Sequence, residues 1–311
     1  MASLKVIRKR ITSTKATQKI TRAMKMVAGA RLTRAQQRIV AMRPYAVKTG
    51  EVLDSVVRTM NATSDASTEP LHPLLAWRPE KKALYLVFTS DRGLCGALNT
   101  NIGKASERAW HEKNAAGIEV AFATMGRKGR EYLTRRQGKI VRDFAHIYDG
   151  LDIEKARLIA HWVVQRFERG QVDAVYIVFN EFKSAITQKV TLERLLPLGG
   201  SVGGEHGERD KSARADPTGG DKIAPSDFIY EPDQKALLER LVPMYLEITL
   251  FRALLESQAS FFGAQMTAMD AATRNAKEMI ARLTLAYNRA RQAAITKELM
   301  EIIGGAEALK E

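Results

Sequence analysis

The sequence predicts a mixed α+β and α/β protein: a long antiparallel two-helix coiled coil formed by the N- and C-terminal helices, with an α/β domain inserted between them. Three observations lead there. Apolar residues recur at three- and four-residue steps near both ends of the chain. In the middle, short apolar runs alternate with helical patterns. At 311 residues the chain suits one or two domains with a sizeable core.

The N-terminal helix is expected over residues 1–60. Its seam runs Leu4, Ile7, Ile11, Thr14, Gln18, Thr21, Lys25, Ala28, Leu32, Ala35, Ile39, Met42, Ala46, Thr49, Leu53, Val56 and Met60. That spacing is a coiled-coil strand, apolar at both ends and polar from Thr14 to Lys25. On another face, Ile20, Met24 and Val27 recur at helical spacing, either as a second core face or as a contact stripe for another protein. The same helix is strongly basic. The first fifty residues hold thirteen Lys or Arg and no Asp or Glu, against a net charge of +14 for the whole chain.

A loop rich in Ser, Thr, Asn and Pro (Asn61 to Pro79) opens the middle zone. The α/β domain is expected over 80–198, with strands Ala83–Thr89, Ile118–Thr124, Lys139–Phe144 and Val172–Asn180. Helices are expected at Ala97–His111, Arg127–Gln137 and Asp152–Glu168. This alternation implies a mostly parallel sheet covered on both faces. Phe182–Leu196 is expected to return as an added strand. Residues 199–222 are Gly-rich, polar and nearly free of large apolar groups, which reads as a flexible surface insertion.

The C-terminal coiled-coil helix is expected over 223–311. Glu231-Pro232 and Pro243 punctuate its start. Its seam runs Phe251, Leu255, Gln258, Phe262, Gln265, Met269, Ala272, Ala276, Met279, Leu283, Ala286, Ala290 and Ala293. At 1.5 Å per residue the two terminal helices would each reach roughly 80–95 Å. Neither is stable alone, so pairing them with each other is the simplest arrangement, a stalk on a globular base.

Candidate chemistry is sparse. Asp91-Arg92-Gly93-Leu94-Cys95-Gly96 sits between strand and helix, where phosphate loops sit, yet matches neither GxxxxGK[ST] nor GxGxxG. It reads as a tight turn. Cys95 is the single cysteine and reads as a structural thiol. The five histidines have no metal-ligand spacing. No catalytic, cofactor or metal site is expected. The basic helix could serve nucleic acid, a membrane surface or an acidic protein. Its cations spiral around the helix, Tyr45 is its one aromatic, and it lacks a broad apolar face with Trp or Phe. Those features favour an acidic protein sleeve.

Three segments in order, MASLKVIRKRITSTKATQKITRAMKMVAGARL at the start, TSDRGLCGALNTNI at 89–102 and YNRARQAAITKELMEIIGGAEAL at 287–309, resemble the gamma subunit of bacterial F-type ATP synthases. The resemblance covers the chain apart from 199–222. It implies a Rossmann-like inserted domain and a role as central rotor shaft, coupling proton-driven rotation of the membrane c-ring to conformational change at catalytic sites on beta subunits. The implied partners are the alpha and beta subunits of the hexamer, the epsilon subunit and the c-ring. The shaft is present in one copy and holds no nucleotide or catalytic residue. The implied location is peripheral, on the cytoplasmic face of the bacterial inner membrane. By matching motif, Met24 packs near a beta-subunit lever segment, and the stripe of Ile20, Met24 and Val27 falls on that position, which favours its reading as a contact stripe. Arg291, Gln292, Thr296 and Glu298 make polar contacts to a beta loop. The small residues Ala293, Ala294, Gly304, Gly305, Ala306 and Ala308 suit a smooth bearing. Gln265 stands where many relatives carry Arg, and the insertion lacks the regulatory cysteine pair of chloroplast relatives. The alternative class is a nucleic-acid-binding protein with a basic coiled-coil arm; a third is a nucleotide-binding enzyme built on the α/β domain.

Overall fold

The computed structural model describes residues 4–63, 72–198 and 234–308. The expected insertion at 199–222, and the start of the C-terminal helix at 223–233, lie outside the described residues. The elements are α1 (Leu4–Thr63), β1 (Lys82–Phe88), α2 (Leu98–Ala115), β2 (Glu119–Met125), α3 (Arg127–Thr134), β3 (Ile140–Phe144), α4 (Ile153–Glu168), β4 (Ala174–Phe182), β5 (Gln188–Leu196) and α5 (Gln234–Ala308). The chain divides into two compact units, 1–31 with 265–311, and 32–264.

The larger unit holds one five-stranded sheet in the order β3-β2-β1-β4-β5. β1 pairs in parallel with β2 and β4, β2 pairs in parallel with β3, and β5 returns antiparallel along β4. Alternation along β1 explains why its sequence is apolar without a break. Ala83, Tyr85 and Val87 face a core shared with α2 and α3. Leu84, Leu86 and Phe88 face a second core completed by α4, by Leu53 and Val56 of α1, and by Leu238 to Leu255 of α5. A strand buried on both faces needs apolar residues at both parities.

Several boundaries differ from the sequence expectation. α2 continues past His111 to Ala115, and α1 reaches Thr63. α3 ends at Thr134 instead of Gln137, because the Leu133 carbonyl accepts from both Arg136 and Gly138 (3.0 Å each) while Gln137 turns to positive φ. The return strand is shorter than Phe182–Leu196. β4 extends through Phe182, and Ser184 makes the turn by accepting from the Ile186 and Thr187 amides at 3.3 and 3.0 Å. A short 3₁₀ turn, Pro73–Leu75, stands inside the expected loop. His72 caps it by accepting from the Leu74 amide (3.1 Å), and burial lowers the His72 pKa. Pro243 does not start α5 but lies inside it. An internal proline costs a helix about 3 kcal/mol, and burial of Leu238, Val242 and Leu246 offsets it.

The smaller unit is a helix pair. Thr14 meets Met279, Thr21 shares a 2.8 Å hydrogen bond with Thr273, Lys25 pairs with Asp270 at 2.5 Å, and a Cβ on Gly29 would lie 3.5 Å from the Met266 sulfur. The partner number falls as the α1 number rises, so the two helices run antiparallel. Every expected α1 seam residue from Leu4 to Val56 is buried or half-buried. The α5 seam needs a correction. Thr273 replaces Ala272 as the partner of Thr21, and beyond Ala276 the inward positions are Ile280, Leu283, Tyr287, Ala290 and Ala294. Ala286 and Ala293 are exposed, and Met279, though it meets Thr14, is 53% exposed.

Candidate functional site

The carboxyl ends of β1 and β4 form the topological switch point of the sheet, where doubly wound folds bind ligands. Here the chain fills that position with its own atoms. Around the start of α3, the Arg127 amide donates to Asp91 Oδ1 (3.0 Å), the Lys128 amide to the Ser90 carbonyl (3.1 Å) and the Gly129 amide to Thr89 Oγ1 (2.7 Å). These are the amides that would otherwise hold an anion at a helix N-terminus. α5 covers the strand ends: the Ser260 hydroxyl donates to the Asn180 carbonyl (3.1 Å), and the Gln258 amide to the Tyr148 carbonyl (3.3 Å). Asp91–Gly96 is therefore a structural turn, with Leu94 and Gly96 at positive φ. Cys95 is buried, its thiol pKa is raised by desolvation, and it accepts from the Asn99 amide at 3.3 Å. Among the described residues no group of His, Cys, Asp and Glu could hold a metal ion.

The informative surface is instead the outside of the helix pair. α1 presents Ile20 at 60% and Val27 at 52% exposure, with Met24 half-buried between them. With Ile20 and Val27 in water, this face is not a second core face among the described residues. Lys25 lies beside it, tied to Asp270, whose carboxyl is held below its usual range chiefly by that hydrogen bond.

Arg291, Gln292, Thr296 and Glu298 are all exposed on α5. The Thr296 hydroxyl donates to the Gln292 carbonyl (3.0 Å), so it is satisfied within the helix and still offers lone pairs outward. These four form one group and Ile20, Met24 and Val27 another. Met24 lies next to the Lys25–Asp270 pair, so the groups are separated by roughly 30 Å of helix at 1.5 Å per residue. The structure does not bring them together.

One feature escapes the sequence reading. The register of the pair places the start of α1, at Leu4, opposite about residue 290 of α5. Past that point α5 continues with exposed Ile295, Leu299, Met300, Ile302 and Ile303, Ile302 reaching 72%. The signal is an apolar periodicity that persists past the position opposite Leu4, the first described residue of α1. The side chains of Gly304 to Ala308 lie outside the described residues.

A family model described as ATP synthase matches residues 3–309. The ATP synthase gamma chain of Sorangium cellulosum (strain So ce56) is 54% identical over 328 aligned residues, covering 100% of both chains. The chain belongs to the ATP synthase gamma-chain family. The fold also recurs in solved assemblies. A chain of the Tetrahymena thermophila mitochondrial ATP synthase central stalk and c-ring has a TM-score of 0.58 at 24% identity, covering 81% of this chain and 99% of that one. A chain of the Euglena gracilis mitochondrial ATP synthase, in rotational state 3, has a TM-score of 0.63 at 21% identity, covering 98% and 94%. Family membership spans both compact units, helix pair and α/β unit alike.

Proposed function

We infer that this gamma chain is the central rotor shaft of a bacterial F-type ATP synthase. It couples rotation of the membrane c-ring to conformational change at catalytic sites on the beta subunits. Its partners are the alpha and beta subunits, the epsilon subunit and the c-ring, and it sits peripherally on the cytoplasmic face of the inner membrane in one copy per complex. The observation that carries the reading beyond family membership is the exposed apolar end of α5, which has no partner among the described residues. A lone helix displaying Ile295, Leu299, Ile302 and Ile303 to water is costly unless an apolar sleeve surrounds it. The basic surface of α1 suits acidic walls.

A two-helix rod lacks threefold symmetry, so three catalytic subunits around it meet three different faces. Each face then interacts differently with open and closed conformations, and that difference couples angle to nucleotide affinity. Ile20, Met24 and Val27 are the proposed apolar contacts to the beta lever segment. Arg291, Gln292, Thr296 and Glu298 are the proposed polar contacts to a beta loop. Reconstitution tests the reading: the chain is expected to raise ATP turnover of an alpha–beta mixture, and no gain would sink it. In the assembled enzyme, Met24→Lys is expected to preserve assembly while lowering protons pumped per ATP several-fold. Unchanged coupling would remove Met24 from the contact set.

A further inference from the structure

In the α/β unit, several cations are matched with acids. Arg136 holds Glu107 at 2.7 Å, Arg130 holds Asp143 at 2.9 Å, Lys139 holds Glu119 at 2.5 Å, and Lys113 and Arg194 share Glu80. In one place four cations gather. A cleft of about 840 Å³ lies between α2 and the β4–β5 turn, and Lys104, Arg108, Lys183 and Lys189 all line it. No carboxylate lines it. Lys183 reaches Glu181 at 3.1 Å, while Lys104, Arg108 and Lys189 form no ion pair among the described residues. Lys104 and Arg108 stand four apart on one helix, an arrangement that repels. The neighbouring acid, Glu107, is engaged by Arg136 and by the Tyr132 hydroxyl at 2.8 Å. Three of the four cations are thus gathered with no ion-pair partner among the described residues.

We propose that this cleft binds an oligophosphate anion, free in solution, through Lys104, Arg108, Lys183 and Lys189. Arg offers a planar fork for two phosphate oxygens and Lys a mobile point charge. Asn101 and Thr187 line the same cleft and add neutral hydrogen-bonding groups. The volume is in the range of small-ligand sites. No aromatic side chain lines it, and its apolar contribution comes from Ala105 and Val190. Recognition therefore falls on the phosphates, not on a stacked base. A seated anion would bridge α2 to a turn that already lies on α5, where a Cβ on Gly263 would come 3.2 Å from the Ala185 carbonyl oxygen. It would fasten the hairpin to two helices at once.

The test is calorimetric titration of the full chain with tripolyphosphate, ATP, GTP and AMP, plus vesicles of anionic phospholipid as the other source of phosphate. One saturable site is expected, similar for tripolyphosphate, ATP and GTP, much weaker for AMP, with a melting temperature that rises and levels off as the ligand saturates. Lys104→Gln with Arg108→Gln is expected to weaken binding at least ten-fold. Lys9→Gln with Lys15→Gln, on the basic surface of α1, should leave it unchanged. Lys189→Gln alone should give an intermediate loss. Equal losses from the α1 pair, a response that never saturates, or binding to vesicles without binding to the soluble anions would each overturn the proposal.

Discussion

The two compact units of this chain solve opposite problems. The α/β unit encloses itself: Phe88, Phe122, Phe167 and Phe179 are fully buried, and acids hold cations such as Lys113, Arg130, Arg136 and Lys139. The helix pair encloses little. Its middle layers are Thr21 with Thr273 and Lys25 with Asp270, and Ile20, Val27 and the end of α5 remain in water. The first is stable through its own burial. The second has the composition of an element finished by its surroundings. Surface exposure of an apolar residue means little singly, but here it is periodic and concentrated on one unit.

Matched truncations would break this comparison most sharply. Phe88→Ala, in the α/β core, is expected to cost about 3–5 kcal/mol in unfolding free energy. Ile20→Ala, on the rod, should cost under about 0.5 kcal/mol in the isolated chain, so denaturant midpoints of the two variants should separate widely. A large stability loss from Ile20→Ala would place that side chain in a core after all. Next in size is Gly126→Ala. Gly126 has φ of 95°, and a Cβ there would lie 2.6 Å from the Thr89 carbonyl oxygen. Left-handed strain and overpacking together should cost about 2–3 kcal/mol by thermal melting.

The smallest effect belongs to the polar layer of the rod. The Lys25 hydrogen bond holds the Asp270 carboxyl below its ordinary value of 3.8. The folded pKa is the lower one, so the pair's stabilisation is full above 3.8 and fades as pH falls through the folded value. Asp270→Asn should melt slightly earlier than wild type at neutral pH, and the two curves should converge in acid. A gap that persists at low pH would show that the layer acts through packing instead of charge.

Much of this organisation is legible in the residues. The α1 seam can be read directly, because its polar and apolar members alternate with basic residues that cannot be buried. The strands of the sheet are also marked, since β1 must be apolar on both faces. α5 is harder to read. Alanine is frequent along it, and alanine at Ala272 looks more like a seam residue than Thr273 does, although Thr273 is the one that meets Thr21. Further along, Ile280, Tyr287 and Ala294 are likewise more buried than Met279, Ala286 and Ala293, while Ala276, Leu283 and Ala290 keep their expected places. Pro243 looks like a boundary because local propensity says nothing of the burial of Leu238 and Val242 that carries the helix through it. For the candidate site, periodicity finds Ile20, Met24 and Val27 but cannot distinguish a buried stripe from an exposed one. Only the burial of the opposite face decides that. The apolar end of α5 is missed because the seam is followed no further than Ala293, about opposite the first described residue of α1.

The self-filled crevice has a mechanical consequence. α5 is fastened across the ends of the strands at separate points: Gln258 to the Tyr148 carbonyl, Ser260 to the Asn180 carbonyl, and Gly263 against Ala185. A twisting load on this part of α5 would enter the sheet through strand termini and be carried along the strand backbones, the direction in which a sheet is hardest to stretch. A bound cofactor in that position would leave a joint whose stiffness varied with occupancy. Side chains of the same polypeptide make the joint permanent, so the seat that other doubly wound proteins give to a ligand works here as a clamp.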